Sequence, residues 1–201
     1  MTRSKTIVVA ISGASGVVYG VRLIAALLGH QNAVTTVLSH AGIKVLTHEM
    51  GYDPKIQFHT FLKNYGINPA FLENLSVFSQ EDIAAPPASG SFRHDGMVVV
   101  PCSMKTLAGA AAGYADNLIS RACDVTLKER RPLIIVPRET PMNLIHLENM
   151  VRLTRAGAVI LPASPSFYSF PDTMEALVDT VVARIMDHLG IDQTLMPRWG
   201  E

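Results

Sequence analysis

Residues 7–20 read IVVAISGASGVVYG, and this stretch decides the fold. An apolar run at 7–11 ends in Ser-Gly-Ala-Ser-Gly, after which Val17, Gly20 and Leu23 recur at helical spacing. A short continuous apolar run that stops at small turn residues and leads into a helix is typical of a buried parallel strand. The stretch therefore predicts a strand, a glycine-rich turn and a helix.

The same alternation recurs along most of the chain. It predicts further strands at 34–38, 97–100, 133–136 and 158–161, with helices at about 41–50, 106–112, 118–129, 142–156 and 173–189. Apolar strands separated by helices favour an α/β fold with a parallel sheet covered on both faces. The site is then expected in the loops at the carboxyl ends of the strands. We expect a single domain over residues 1–201, with an irregular insertion at about 52–90.

Composition excludes several classes of function. The 201 residues carry 17 Lys and Arg against 17 Asp and Glu, so the basic excess of a nucleic-acid binder is missing. The longest apolar runs are far shorter than the roughly 20 residues of a membrane span, so we expect no membrane segment and a cytoplasmic protein. Charged residues make up 17%, below the usual figure of about 25%, which suggests a surface partly covered by other subunits.

Neither a disulfide framework nor a metal site is expected. Cys102 and Cys123 are too few for the first, and the histidines lack the spacing of metal ligands. Cys102 could act as a nucleophile, but a small buried apolar residue is the favoured interpretation.

Two loops carry the small and hydroxyl residues that suit a phosphate. Gly13, Ala14 and Ser15 lie where a strand becomes a helix, so a ligand could approach helix amides there. A tight turn that needs glycine for its geometry alone explains them equally well. The sequence Ser103-Met104-Lys105-Thr106 begins another helix with two hydroxyls and an ammonium group. For Ser103 alone, a helix N-cap is the simpler interpretation.

Charged side chains concentrate around the strand at 133–136. Arg121, Lys128, Arg130 and Arg131 precede it, and Arg138-Glu139 follow it between two prolines. A solvated helix end accounts for residues 128–131 without any site. Arg138 and Glu139 instead suggest an anion-binding cation beside an acid/base.

Five sequence blocks together resemble the UbiX flavin prenyltransferases. The blocks are ISGASG at 11–16, PCSMKT at 101–106, LKERRP at 127–132, RETP at 138–141 and FY at 167–168. Their order and spacing agree with that family from Ile7 to Trp199, except for a weak match over about 51–88. The resemblance implies a flavodoxin-like or Rossmann-like parallel sheet with helices on both faces, commonly assembled as a dodecamer with sites between subunits.

The resemblance also implies an activity. Enzymes of that family join a dimethylallyl group, usually from dimethylallyl monophosphate, to reduced FMN without a metal ion. The product, prenylated FMN, serves UbiD-type decarboxylases. The sequence leaves the choice between a monophosphate and a diphosphate donor open.

The resemblance assigns roles residue by residue. FMN contacts are implied for Gly13, Ala14, Ser15, Ser39, Ser103, Met104, Lys105, Thr106 and Arg138. Contacts to the prenyl phosphate are implied for Tyr168 and Arg184, with Lys128 and Arg121 completing a basic pocket for the leaving phosphate. Glu139 is the candidate for proton transfer, and Glu49 and Ser15 are candidates for positioning the flavin and relaying protons.

Two other functions are compatible with the same loops. One is an FMN-dependent decarboxylase of cysteinyl substrates, which the Pro141-Met142-Asn143 sequence resembles. The other is a non-catalytic FMN carrier, which would need the flavin loops but not Lys128, Glu139, Tyr168 and Arg184 together. The combination of these four residues favours the prenyltransferase.

Overall fold

The computed structural model describes residues 4–197 and contains a parallel sheet of six strands. The strands are β1 (Thr6–Ile11), β2 (Ala33–Leu38), β3 (Leu75–Ser79), β4 (Gly96–Cys102), β5 (Leu133–Pro137) and β6 (Val159–Ile160). Their order is β3-β2-β1-β4-β5-β6, and all five neighbouring pairs are parallel. This is the doubly wound order, in which β2 and β3 are added on one side of β1 and β4, β5 and β6 on the other. The order of strand addition therefore reverses between β1 and β4, and we call this place the reversal point. The predicted parallel sheet is thereby confirmed.

Helices cover both faces of the sheet. They are α1 (Val17–Gly29), α2 (His40–Met50), α3 (Phe58–Asn64), α4 (Met104–Ala112), α5 (Leu118–Lys128), α6 (Leu144–Arg155) and α7 (Met174–His188). Side chains of β1 alternate between the two faces, so Ile7, Val9 and Ile11 join a core with α1, α2, α3 and α7. Val8 and Ala10 join a second core with α4, α5 and α6.

The segment that the sequence suggested as an irregular insertion, 52–90, is more regular than expected. It holds α3, two short 3-10 helices at Pro69–Asn74 and Pro86–Ala88, and the edge strand β3. β3 pairs with β2 from Val34–Leu75 to Leu38–Ser79. The prediction missed it because LSVFS is only partly buried, and such an edge strand lacks the continuous apolar run that marks β1 or β4.

The α1 helix packs against β4 at a position that only glycine can occupy without displacement. A Cβ on Gly20 would lie 2.6 Å from the carbonyl oxygen of Val100 and 3.0 Å from side-chain carbons of Ile11. The missing side chain therefore sets how closely the helix approaches the two central strands.

We predict that Gly20→Ala lowers the free energy of unfolding by about 1–3 kcal/mol, because the added methyl overpacks against a backbone carbonyl. Gly29→Ala is the matched control, since no heavy atom lies within 4 Å of its added Cβ. That helix substitution should stabilise by roughly 0.5–1 kcal/mol. Urea unfolding at one fixed protein concentration measures both variants. Equal stability of Gly20→Ala and the wild type would contradict the packing constraint.

Candidate functional site

The loops that follow β1 and β4 are joined by one buried side chain, that of Ser12. Its hydroxyl donates to the carbonyl oxygen of Pro101 at 2.9 Å and accepts from the amide of Ser103 at 2.8 Å. The backbone amide of Ser12 also donates to Pro101 at 3.2 Å. Ser12 thus fixes the two loops beside each other at the point where the chain reverses across the sheet, which is where open α/β sheets bind ligands.

The start of α2 presses against the loop after β1. A Cβ on Gly42 would lie 2.6 Å from the carbonyl oxygen of Ile11, and one on Gly13 would collide with the side chain of Ala41. Ser39 is the N-cap of α2, and its hydroxyl accepts from the amide of Gly42 at 2.8 Å. The wall here consists of backbone and short side chains.

The start of α4 presents the hydroxyl groups that the sequence pointed to. Ser103 is the N-cap, accepting from the amide of Thr106 at 3.3 Å, and its hydroxyl lies 3.0 Å from that of Thr106. Lys105 is exposed, whereas the side chain of Met104 is buried in the core. Met104 can therefore contribute to a site only through its backbone. The N-cap interpretation of Ser103 is confirmed.

These loops border an open cleft of about 960 Å³. It lies at the carboxyl edge of the sheet, and five of the predicted cofactor-binding residues line it: Gly13, Ser39, Ser103, Lys105 and Thr106. Its outer part is lined by residues that the sequence did not single out, among them His40, Lys44, Glu81, Tyr114 and Asp116.

Glu49 lies beside this region and caps α1 from outside that helix. Its carboxylate accepts from the amide of Gly16 at 2.9 Å and from that of Val17 at 3.2 Å. Gly16 has φ 92° and offers no side chain of its own for the purpose. A carboxylate at the positive end of a helix is favourable. The predicted anion site at the start of α1 is thus partly occupied by the protein's own acid.

The other residues of the glycine-rich turn lie between Ser12 and Gly16. The amide of Ala14 donates to the carbonyl oxygen of Ser12 at 3.0 Å, and Ser15 is exposed.

Arg138 and Glu139 follow β5 and remain exposed. The amide of Arg138 donates to the carbonyl oxygen of Cys102 at 3.3 Å, which holds this loop against the end of β4. Burial raises the pKa of Tyr19 on α1, and the nearby positive charge of Arg138 partly opposes that rise. The carboxylate of Glu139 accepts from the amide of Thr140 at 3.0 Å.

A second group of cations lies on α5 and in the turn that follows it. Arg121 donates to the carbonyl oxygen of Ala88 at 3.2 Å, and Arg131 donates to those of Phe92 at 2.6 Å and Gly90 at 2.8 Å. Lys128 pairs with Glu129 at 2.5 Å, and a Cβ on Gly90 would lie 2.8 Å from its ammonium nitrogen. We call Arg121, Lys128, Arg131 and the loop 88–92 the basic loop cluster.

Sequence reasoning missed the serines of the basic loop cluster. The hydroxyls of Ser89 and Ser91 lie 2.8 Å apart and are exposed. The signal was present in the run PPASGS at 86–91, where small residues and hydroxyls follow two prolines.

Within one protomer, the part of the basic loop cluster around Lys128 lies away from the cleft. α5 begins beside the cleft at Asn117 and ends at Lys128, about 16 Å further along the helix axis, where the chain turns into β5. Arg184 lies in the last turns of α7, where it pairs with Asp187 at 3.1 Å. Tyr168 lies in the loop before α7 with 68% of its surface exposed.

The two cysteines are fully buried, which raises the pKa of both thiols, that of Cys123 to about 12. A thiolate nucleophile at Cys102 is therefore disfavoured. Within residues 4–197, no group of three or more His, Cys, Asp or Glu side chains is placed to hold a metal ion. No helix in that part of the chain is long and apolar enough to cross a membrane.

A doubly wound sheet with a hydroxyl-lined cleft at its reversal point defines a nucleotide- or flavin-binding α/β domain. The model of the Flavoprotein family matches residues 1–186. Flavin prenyltransferase UbiX of Pseudomonas aeruginosa is 48% identical over 100% of this chain and 97% of its own length. The chain belongs to the UbiX family of flavin prenyltransferases.

Solved structures agree with this assignment. A complex of AnUbiX (PadA1) with FMN and dimethylallyl pyrophosphate has a TM-score of 0.87 and 42% identity, covering 99% of each chain. A dodecameric FMN-dependent UbiX-like decarboxylase from Escherichia coli O157:H7 has a TM-score of 0.85 and 40% identity, covering 98% of this chain and 100% of that one. Peptidyl-cysteine decarboxylase EpiD, at 16% identity and a TM-score of 0.59, shares the fold alone.

We predict that Ser12→Ala lowers the melting temperature by roughly 2–10 °C, because it leaves the amide of Ser103 without its acceptor and removes one of the two donors to the carbonyl oxygen of Pro101, a loss of about 1–3 kcal/mol. Ser4→Ala is the control, since the Ser4 hydroxyl makes one exposed hydrogen bond to Gln31. It should change the melting temperature by less than about 2 °C. If thermal unfolding shows the two variants to be equally stable, Ser12 does not hold the loops together.

Proposed function

We propose that this protein joins the dimethylallyl group of dimethylallyl monophosphate to reduced FMN, giving prenylated FMN. The observation that carries the proposal is the cleft at the reversal point of the sheet, lined after β1, β2 and β4 by Gly13, Ser39, Ser103 and Thr106. Its volume lies within the range of small-molecule sites, about 300–1,000 Å³. Membership of a prenyltransferase family gives the cleft its chemistry.

The residues around the cleft fit a flavin mononucleotide. The hydroxyls of Ser39 and Ser103 accept from helix amides. Ser39 keeps its proton to donate, the paired hydroxyls of Ser103 and Thr106 keep one between them, and Lys105 adds an exposed ammonium group. Gly13 lies among the lining residues, and its close packing against Ala41 fixes the backbone there. Reduced FMN, when bound, supplies the electron-rich ring nitrogen and carbon to which the allyl group becomes attached.

We assign the basic loop cluster to the phosphate of the donor. An allylic phosphate leaves more readily when fixed positive groups stabilise the charge that develops on its oxygens. Lys128 and Arg121 can supply those charges without a metal ion, and Gly90, between Ser89 and Ser91, lies beside the ammonium group of Lys128. Tyr168 and Arg184 are assigned to the same phosphate.

These groups come together only if a second copy of the chain completes the site. Lys128 and Arg184 lie on helix ends remote from the cleft of their own protomer. The exposed apolar surface is also extensive, with Leu144 and Ile145 of α6 at 68% and 66% exposure and Phe170 at 91%. Patches of this kind mark interfaces in soluble proteins. We propose a homo-oligomer, and a dodecamer is the assembly named for the Escherichia coli relative.

Two carboxylates receive different roles. Glu139 is exposed at the carboxyl end of β5 next to Arg138, where it can accept the proton that the flavin ring loses. Glu49 binds the amides of Gly16 and Val17, so it holds the turn that carries Ser15 in place.

We propose a UbiD-type decarboxylase as the recipient of the product.

The test of the function is an anaerobic incubation of the purified protein with reduced FMN and either dimethylallyl monophosphate or diphosphate. Mass spectrometry should find FMN carrying one added prenyl unit, with the monophosphate as the better donor. Absence of that product with both donors would refute the prenyltransferase. Oxidative loss of CO₂ from a peptide ending in cysteine would favour the decarboxylase, and FMN binding with neither reaction would favour a carrier.

We predict that Glu139→Gln binds FMN with an affinity within about twofold of the wild type but forms product at least ~100-fold more slowly, because general acid–base catalysis is lost. Glu73→Gln is the control, because Glu73 lies in the 3-10 helix after Asn68, outside the cleft and the basic loop cluster. Flavin titration measures binding, and timed mass spectrometry measures turnover. Wild-type turnover by Glu139→Gln would exclude the proton-transfer role.

A further inference from the structure

The geometry points to Thr180 of α7 as a positioning residue that holds Tyr168 at a fixed place relative to Arg184. This inference rests on the proposed function, since both of those residues are assigned to the prenyl phosphate. Thr180 itself is 2% exposed and touches neither reactant. Its effect must therefore pass through the loop before α7.

Two hydrogen bonds connect Thr180 to Tyr168. The hydroxyl of Thr180 accepts from the amide of Ser166 at 3.0 Å, and the hydroxyl of Ser166 accepts from the amide of Tyr168 at 3.3 Å. The proton of the Thr180 hydroxyl is used as well, because it donates to the carbonyl oxygen of Leu177 at 2.7 Å. This second bond fixes the hydroxyl with its lone pair toward Ser166.

The loop that Thr180 anchors is largely exposed. Phe167, Tyr168 and Phe170 are 72%, 68% and 91% exposed. The amide of Phe170 donates to the carbonyl oxygen of Phe167 at 3.0 Å, which closes a four-residue turn around Tyr168. Phe170 also has φ 52°, in the left-handed region that bulky residues avoid. The turn thus has a defined shape, and Thr180 fixes where that turn begins.

Thr180 and Arg184 are four residues apart on α7, so they lie one helical turn apart on the same side of the helix. The helix itself is held to α1 by a two-point ion pair, in which the carboxylate of Asp179 accepts from Arg22 at 2.9 and 2.5 Å. Tyr168 and Arg184 are thus both attached to one fixed helix. The separation between the two donor-binding groups then depends on the Thr180 hydroxyl.

The experiment compares Thr180→Val, which keeps the shape and removes the hydroxyl, with Thr180→Ser, which keeps the hydroxyl. Thr126→Val is the matched control, because the Thr126 hydroxyl is also buried. It donates to the carbonyl oxygen of Ala122 in the same helix at 2.6 Å and contacts the sulfur of Met97 in β4. Each full-length variant is assayed for FMN affinity and for KM and kcat with dimethylallyl monophosphate.

We expect Thr180→Val to raise KM for the donor about fivefold, the effect of one lost hydrogen bond, while FMN affinity stays unchanged. Thr180→Ser and Thr126→Val should keep KM within about twofold of the wild type. If Thr180 had a purely structural role, both valine variants would have a lower melting temperature, and their KM values for the donor would be the same. That result, or a parallel loss of FMN affinity in Thr180→Val, would overturn the inference.

Hydrogen exchange on the wild-type protein gives an independent measurement if Thr180→Val does not fold. The amide of Ser166 should exchange slowly, and Thr180→Ser should keep that protection. Rapid exchange at Ser166 would overturn the inference. If the wild type makes no prenylated FMN, the proposed function fails, while the exchange result still decides whether Thr180 fixes the turn.

Discussion

The contact on which the site depends is the pair of hydrogen bonds made by the buried hydroxyl of Ser12. It joins the ends of β1 and β4, the two strands between which the chain reverses direction across the sheet. Parallel strands leave a crevice at that point, and a crevice becomes a site only when its two edges keep a constant separation. Close packing at Gly13 and Gly42 fixes the neighbouring wall in the same way. Backbone contacts therefore fix the wall of the cleft at the ends of β1, β2 and β4.

The hydroxyls and the cations assigned to the two reactants lie in different parts of the protomer. The hydroxyls that suit a flavin phosphate lie at the start of α4, whereas Lys128 and Arg184 lie near the far ends of their helices. In the proposed function, a site divided in this way separates the binding of the flavin from the activation of the donor. Each protomer of the proposed oligomer then offers its cleft to the flavin and its cations to the cleft of another copy. In this proposal, the reaction therefore requires the oligomer.

The sequence predicted the buried parts of this protein better than its edges. The apolar runs of β1, β4 and β5 indicated a parallel sheet, because strands covered on both faces exclude polar residues. The half-buried strand β3 gave no such run and was missed. Motifs identified the cleft residues Gly13 and Ser103, since their chemistry is local. Contacts between distant segments, such as the Glu49 carboxylate on the amides of Gly16 and Val17, have no local pattern and required the structure.

The Glu49 contact also affects how the chain folds. The N-terminus of α1 is completed by a residue from the last turns of α2, across the whole of β2. An excised peptide of β1 and α1 would therefore lack its terminal carboxylate, and α2 alone would carry an acid with no amide partner. Neither fragment is therefore expected to fold by itself. The first two strand–helix repeats are thus expected to acquire their structure cooperatively, as one foldon of the nascent chain.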